Sequence, residues 1–237
     1  FRVSDESTQW ALRVNTKSPT LGVSRESELA AHSAAALAGL APPVVYSSDE
    51  CLVTPLIEGV GVSSSDLTAL GVLLRRVHQL PVELPALDPL GYLRSNVAAR
   101  LTEVSATGHT LIHDCAQWLQ TNFPSESAVL SPCHNDCLPA NMIRTESGVV
   151  LIDWEYAAAM DPAYDLAVLS VGCGLDAEQM ELLLGAYATE SFDDTLRERA
   201  HYYQHYYRLI EILWWLQRGV SQEESLQALA QEILSPS

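Results

Sequence analysis

Pro132-Cys133-His134-Asn135-Asp136-Cys137-Leu138-Pro139-Ala140-Asn141, followed a few residues later by Leu151-Ile152-Asp153-Trp154-Glu155-Tyr156, is the stretch on which the reading of this chain turns. Between the two lies Met142-Ile143-Arg144, the turn sequence Thr145-Glu146-Ser147-Gly148 and a valine-rich run, a pattern that predicts a tight hairpin. Such a hairpin folds residue 153 back onto residue 141, so Asp136, Asn141 and Asp153 face one cleft. Phosphoryl transfer from ATP to an alcohol asks for such a set. One carboxylate must take or orient the hydroxyl proton, and hard oxygen ligands must hold Mg²⁺ against the phosphates. Asp136 suits the first task; Asn141 and Asp153 suit the second. A lone Asp and Asn in a loop would more simply satisfy backbone groups. Three roles in the right order favour the chemistry.

The spacing His-x-Asp-x4-Asn, then a hairpin, then an Asp is the layout of a protein-kinase catalytic loop. Working outward, Phe1-Arg2-Val3 and Gln9–Asn15 read as a strand pair. Ser24 caps a helix to about Leu37, with Glu26 and Glu28 in its first turn and Gly39 beyond its end. Two further strands follow, around 44–46 and 51–56. Gly59, Gly61 and three serines mark a boundary, giving a β-rich segment 1–57 and a mainly helical segment 58–237. Ser63 and Asp66 form a capping box for a helix to Pro81. Helical periodicity recurs at 95–105, 110–121, 177–188, 194–218 and 222–234.

A kinase-type site needs a cation on a strand of the first segment. The only lysine, Lys17, falls past that strand's end, so Arg13 is better placed; its acidic partner is Glu28 or Glu26. On the helix 194–218, Tyr203, Tyr207 and Trp214 share a broad face with Glu211, which suits an ammonium group, although such stripes more often pack a core. His134 braces the loop. Asp165 is expected to bond catalytic-loop amides.

Composition narrows the partners. Thirty acids face thirteen bases, for a net charge of −17, which disfavours nucleic acid. The excess lies almost wholly after residue 57. No apolar run reaches the roughly 18 residues of a membrane span. Five cysteines without a CxxC pair read as free thiols of a cytoplasmic protein. Phe1 rather than Met opens the sequence, and nothing in it reads as a secretory signal. Cys133, His134 and Cys137 make a poor zinc pattern, and the His pairs 109/113 and 201/205 lack a third ligand.

CHNDC…N with LIDWEYA…DPAYDLA resembles the aminoglycoside-phosphotransferase/choline-kinase superfamily, most closely choline and ethanolamine kinases and bacterial relatives that include thiamine kinase. The resemblance runs over nearly the whole chain. It implies an α+β, two-lobed, protein-kinase-like fold, with a nucleotide lobe at 1–57 and a catalytic lobe at 58–237. It implies Asp136 as base, and Asn141, Asp153 and Glu155 as Mg²⁺ ligands. It favours Glu28 as the partner of Arg13, and it places adenine against Thr54, Pro55 and Ile57. A choline- or ethanolamine-like alcohol becomes the expected acceptor, enclosed by Tyr203, Tyr207, Glu211 and Trp214; thiamine, an aminoglycoside or a sugar is the alternative. The glycine-rich turn that such kinases carry ahead of the first strand does not occur within these 237 residues. That, with arginine at the lysine position, is what a non-catalytic nucleotide-binding protein would show.

Overall fold

Alternating apolar residues at the start of the chain predict strands, and the computed structural model forms them as β1 (Arg2–Ser4) and β2 (Gln9–Val14). The structure describes residues 1–4, 8–15, 22–100, 104–124, 129–188 and 194–234; Lys17 and the turn residues 5–7 fall outside them. With β3 (Tyr46–Ser47) and β4 (Cys51–Pro55) they make an antiparallel sheet in the order β1-β2-β4-β3. The register sets Arg13 opposite Leu52 and Trp10 opposite Pro55. Helix α1 (Arg25–Leu37) starts where the sequence says it should. Ser24 is extended and its hydroxyl accepts from the Ser27 amide, while Gly39 leaves at φ 72°.

Val60–Gly61, read from sequence as linker, forms a short strand, β5. It pairs with β7 (Met142–Thr145), which pairs in turn with β8 (Gly148–Leu151). Gly59 makes this approach possible, since a Cβ there would lie 2.5 Å from the Arg144 carbonyl oxygen. A 3₁₀ turn (Ser64–Asp66) leads into α2 (Leu67–Val77), and the Ser63/Asp66 capping box is present. Helix α3 (Pro89–Arg100) begins earlier than its periodicity suggests. Pro89 suits a first helical turn, and the Asp88 carboxylate accepts from the Gly91 amide. Ser105 caps α4 (Ala106–Thr121) in the same way.

Three elements lie around the hairpin without a signal that sequence periodicity could carry. Strand β6 (Ser131–Cys133) pairs antiparallel with β9 (Ala158–Met160). Helix α5 (Ala163–Cys173) runs through the core with residues 163–170 all buried. A helix buried on every side has no polar face and so no 3.6-residue rhythm. It stops at Gly174, whose φ of 62° closes a left-handed cap. Helices α6 (Ala177–Tyr187), α7 (Asp194–Leu216) and α8 (Glu223–Leu234) complete an α+β fold. The tyrosines of α7 pack against α5: Tyr164 meets Tyr203 at 5.6 Å and Tyr206 at 5.8 Å, both edge to face. The consequence for function is placement. The β6 end, the β7–β8 hairpin and the start of α5 converge on one loop.

Candidate active site

Two and three residues after Pro132 the chain is anchored through its backbone amides. Asp165, fully buried in the first turn of α5, accepts from the His134 amide (2.9 Å) and the Asn135 amide (2.8 Å). It also accepts from His78 Nε2 at 3.1 Å, since a carboxylate can only accept. Burial alone would raise the Asp165 pKa, but the His78 contact and the loop amides outweigh it and hold it below the usual range. The His134 ring stacks edge-on against buried Trp154 at 4.7 Å. Its Nε2 donates to the Ile152 carbonyl (3.0 Å) and its Nδ1 accepts from the Asp136 amide (3.3 Å), which fixes the neutral tautomer. Burial lowers its pKa further. His134 is therefore a brace, as the sequence suggests.

This scaffold thrusts Asp136 forward. Asn135 adopts φ 63° while its Nδ2 donates to the Tyr156 carbonyl at 3.0 Å. Asn141 ends a 3₁₀ turn (Pro139–Asn141), and its Nδ2 donates to Asp136 Oδ2 at 2.7 Å and to the Asp136 carbonyl at 3.0 Å. Burial pushes the Asp136 carboxyl up to about 6; the Asn141 bond opposes this, and the carboxylates of Asp153, Glu155 and Asp165 add to it. A cation bound nearby acts in the opposite sense. The hairpin delivers the second carboxylate as expected: the Ile152 amide donates to the Asn141 carbonyl at 3.0 Å, and Asp153 follows in a left-handed conformation, φ 63°.

Strand β2 and helix α1 bring the cation. Arg13 Nη1 lies 2.5 Å from Asp153 Oδ1, and its Nη2 pairs with Glu28, whose side chain is only 4% exposed. Glu28, not Glu26, is the partner. Sequence reading missed Arg25, whose Nη1 bridges Glu28 Oε2 (2.6 Å) and Glu155 Oε2 (3.4 Å). A signal existed: a cation in the first turn of a helix opposes the macrodipole and asks for a reason. Glu155 also lies 3.8 Å from Arg13, and its pKa is raised, by burial first and by Asp153 next. Thr54, buried, pairs with Ala11 at the end of β4, and Pro55 with Trp10. The next amide, of Leu56, donates to the Gln9 carbonyl, and Ile57 lies just beyond the strand.

The donor set suits a divalent cation. Asn141 spends its amide hydrogens on Asp136, which leaves its carbonyl oxygen for a metal, and Asp153 and Glu155 add carboxylate oxygens. Two guanidinium groups stand against the three acids Glu28, Asp153 and Glu155, leaving negative charge in excess. A buried trio elsewhere, His78, Cys133 and Asp165, brings ligand atoms within 4.8 Å. It is already occupied, because Asp165 serves the loop amides and the Cys133 thiol donates to the Met160 carbonyl.

Beside Asp136 opens a cavity of about 300 Å³ lined by Tyr92, Tyr156, Tyr207, Glu211, Trp214 and Arg218 among others. Tyr207, Glu211 and Trp214 stand where the sequence reading put them, on its wall. Tyr203 does not line it and instead packs in the core against Tyr164. The reason is position along the helix: residue 203 points within about 20° of residue 214 but lies eleven residues, about 16 Å, back along the axis, where α7 packs against Tyr164 rather than opening on the cavity. Tyr92, Tyr156 and Arg218 escaped the sequence reading because they arrive from α3, the segment after Asp153 and the turn after α7.

A family model described as the phosphotransferase enzyme family matches residues 1–203. The protein LicA of Haemophilus influenzae is 32% identical over 102 residues, which cover 42% of this chain and 38% of that protein. The matched part thus spans well under half the length of that relative. Among solved structures, the choline kinase LicA from Streptococcus pneumoniae superposes with a TM-score of 0.77 at 18% identity, over 98% of this chain and 87% of that one. A LicA structure in complex with AMP gives 0.75 at 19% identity, over 97% and 84%. At such identities the likeness establishes the fold, the kinase-like α+β arrangement expected from the sequence.

Proposed function

The chain belongs to the phosphotransferase enzyme family, and from that premise we propose that it moves the γ-phosphate of ATP to the hydroxyl of a small cationic alcohol of the choline or ethanolamine type. One observation carries the reading: Asp136, held by Asn141 at 2.7 Å, shares a single cavity with Asp153, Glu155 and a wall of tyrosine and tryptophan. Asn141 occupies Oδ2 of Asp136, which leaves Oδ1 to accept the proton of the acceptor hydroxyl. As the hydroxyl oxygen, losing its proton to Oδ1, bonds to the γ-phosphorus, the bond to the β–γ bridging oxygen breaks and ADP departs with the electron pair. Mg²⁺ held by Asn141, Asp153 and Glu155 would supply charge neutralisation on the β- and γ-phosphates. The aromatic wall with Glu211 takes the ammonium end and points the hydroxyl toward Asp136.

Residues 1–57 serve the nucleotide in this scheme and 58–237 serve catalysis and the acceptor. Thr54, Pro55 and Ile57 lie along the adenine site. Arg13, fixed between Glu28 and Asp153, meets the α- and β-phosphates. Replacing it tests this part alone. Arg13→Met is expected to raise KM for MgATP about tenfold while KM for the acceptor changes little, and Arg13→Lys is expected to recover part of the loss. Steady-state kinetics with each substrate varied in turn checks this; equal changes in both constants would place Arg13 elsewhere. The five cysteines form no disulfide with one another, which fits a reducing cytosol. Among the described residues no helix is long and apolar enough to cross a membrane. A small molecule is the partner proposed.

The direct test incubates the protein with ATP, Mg²⁺ and choline, ethanolamine, thiamine or an aminoglycoside, and follows the phosphorus signals by NMR. A phosphomonoester of choline or ethanolamine is expected. Phosphorylation of thiamine or the aminoglycoside alone would move the acceptor assignment, and no ester with any of them would favour a nucleotide-binding protein without turnover.

A further inference from the structure

Arg218 stands in the cavity without an obvious employer. It sits in the turn after α7, where Gly219 at φ 72° reverses the chain, and its amide donates to the Trp215 carbonyl at 2.9 Å. Its guanidinium carbon lies 3.2 Å above the centroid of the Trp214 ring, and its Nη1 donates to the Trp214 carbonyl at 3.3 Å. Asp136, Asp153, Glu155 and Glu211 line the same cavity, yet among the described residues none pairs with Arg218. The group has therefore settled on the indole face rather than on an acid. A face that one cation covers is unavailable to another.

We infer that Arg218 is the chain's own stand-in for the acceptor's cationic head, a competitor that an ammonium-bearing substrate must lift off Trp214 before it binds. This rests on the cationic-alcohol reading above. Arg218 is exposed on a surface turn, so its side chain has solvent to swing into once displaced. The arrangement imposes a fixed cost on any cation that takes the Trp214 face. A cation that also gains from the other aromatic walls and from Glu211 offsets that cost, whereas a ligand that does not use the Trp214 face does not meet it. Arg218 then sets the affinity of the site, weakening by one common factor every cation that uses the Trp214 face.

The test uses tetramethylammonium as a cation that cannot be phosphorylated, with binding followed by intrinsic tryptophan fluorescence. Arg218→Met keeps the apolar stem and removes the charge; it is expected to tighten tetramethylammonium binding about threefold or more, the size of an exposed cation–π contact. Arg218→Lys, still charged but not flat, is expected to fall between. Trp214→Ala should abolish the difference between Arg218 and its Met variant. Equal or weaker binding to the Met variant, or no binding to either protein, overturns the inference. Phosphate transfer to choline is measured separately on the same preparations. Tighter tetramethylammonium binding without transfer would remove the acceptor reading and leave Arg218 as a competitor; transfer without tightening would do the reverse.

Discussion

Asp136→Asn lowers kcat by about a thousandfold and leaves the Kd for MgATP within about threefold. The substitution is nearly isosteric. The loop is held by Asp165, His134 and Asn135, not by the Asp136 carboxylate, so its shape survives. Asn141 Nδ2 can still donate to the new amide oxygen, as it does to Oδ2 at 2.7 Å. What disappears is the one group able to take the hydroxyl proton, because an amide is no base at neutral pH. Arg13 and the Glu28 pair are untouched. Single-turnover measurement of ester formation, beside nucleotide titration, separates the two quantities. A loss of less than tenfold in kcat would show that the proton leaves by another route.

Asp165→Ala is expected to cost about 3 kcal/mol of stability or more, and to take activity with it. Its carboxylate is fully buried and is the acceptor for the amides of residues 134 and 135 and for the His78 ring. Removing it strands buried donors that no water reaches, and each such donor costs about 1–3 kcal/mol. Asp165→Asn returns one acceptor oxygen but turns an N–H toward a donor, so it should fall between wild type and the alanine variant. The same group has a signature in pH. Its folded pKa lies below the ordinary aspartate value of 3.8. The stability it contributes is therefore complete above that value and is lost as the pH falls through the lower folded one. Denaturant unfolding at neutral pH and at pH 3 measures both effects; an alanine variant as stable as wild type would show that the loop does not depend on this anchor.

Local grammar made much of the fold legible. Helix α1 follows its cap and its terminal glycine, and the β7–β8 hairpin follows its turn residues, because in each the signal and the structure lie within a few residues. Helix α5 left no such trace, being apolar on every side, and β6 with β9 are three-residue strands whose pairing spans more than twenty residues of chain. The site divides in the same way. Asp136, Asn141 and Asp153 converge because the loop and the hairpin are contiguous in sequence. The link from Arg13 to Asp153 crosses 140 positions and was accessible only through the strand and helix expected around it. Tyr92 and Arg218 meet the site through tertiary packing alone, whereas Arg25 had left a trace as a cation in the first turn of α1. Tyr203 shares the direction of Trp214 but lies about 16 Å back along α7, in the core, because a helical stripe continues past the end of the cavity it lines.

Two residues of the site, Asn135 and Asp153, hold backbone angles that most side chains refuse. Their permitted alphabet is therefore set before any reaction is considered: glycine, asparagine and aspartate are admitted, while valine, isoleucine and threonine are turned away by the collision of Cβ with the main chain. A mutational survey that found position 135 intolerant would thus be recording a shape requirement. Only a swap within that small alphabet, such as Asn135→Gly, tells apart what the side chain does from what the peptide unit demands.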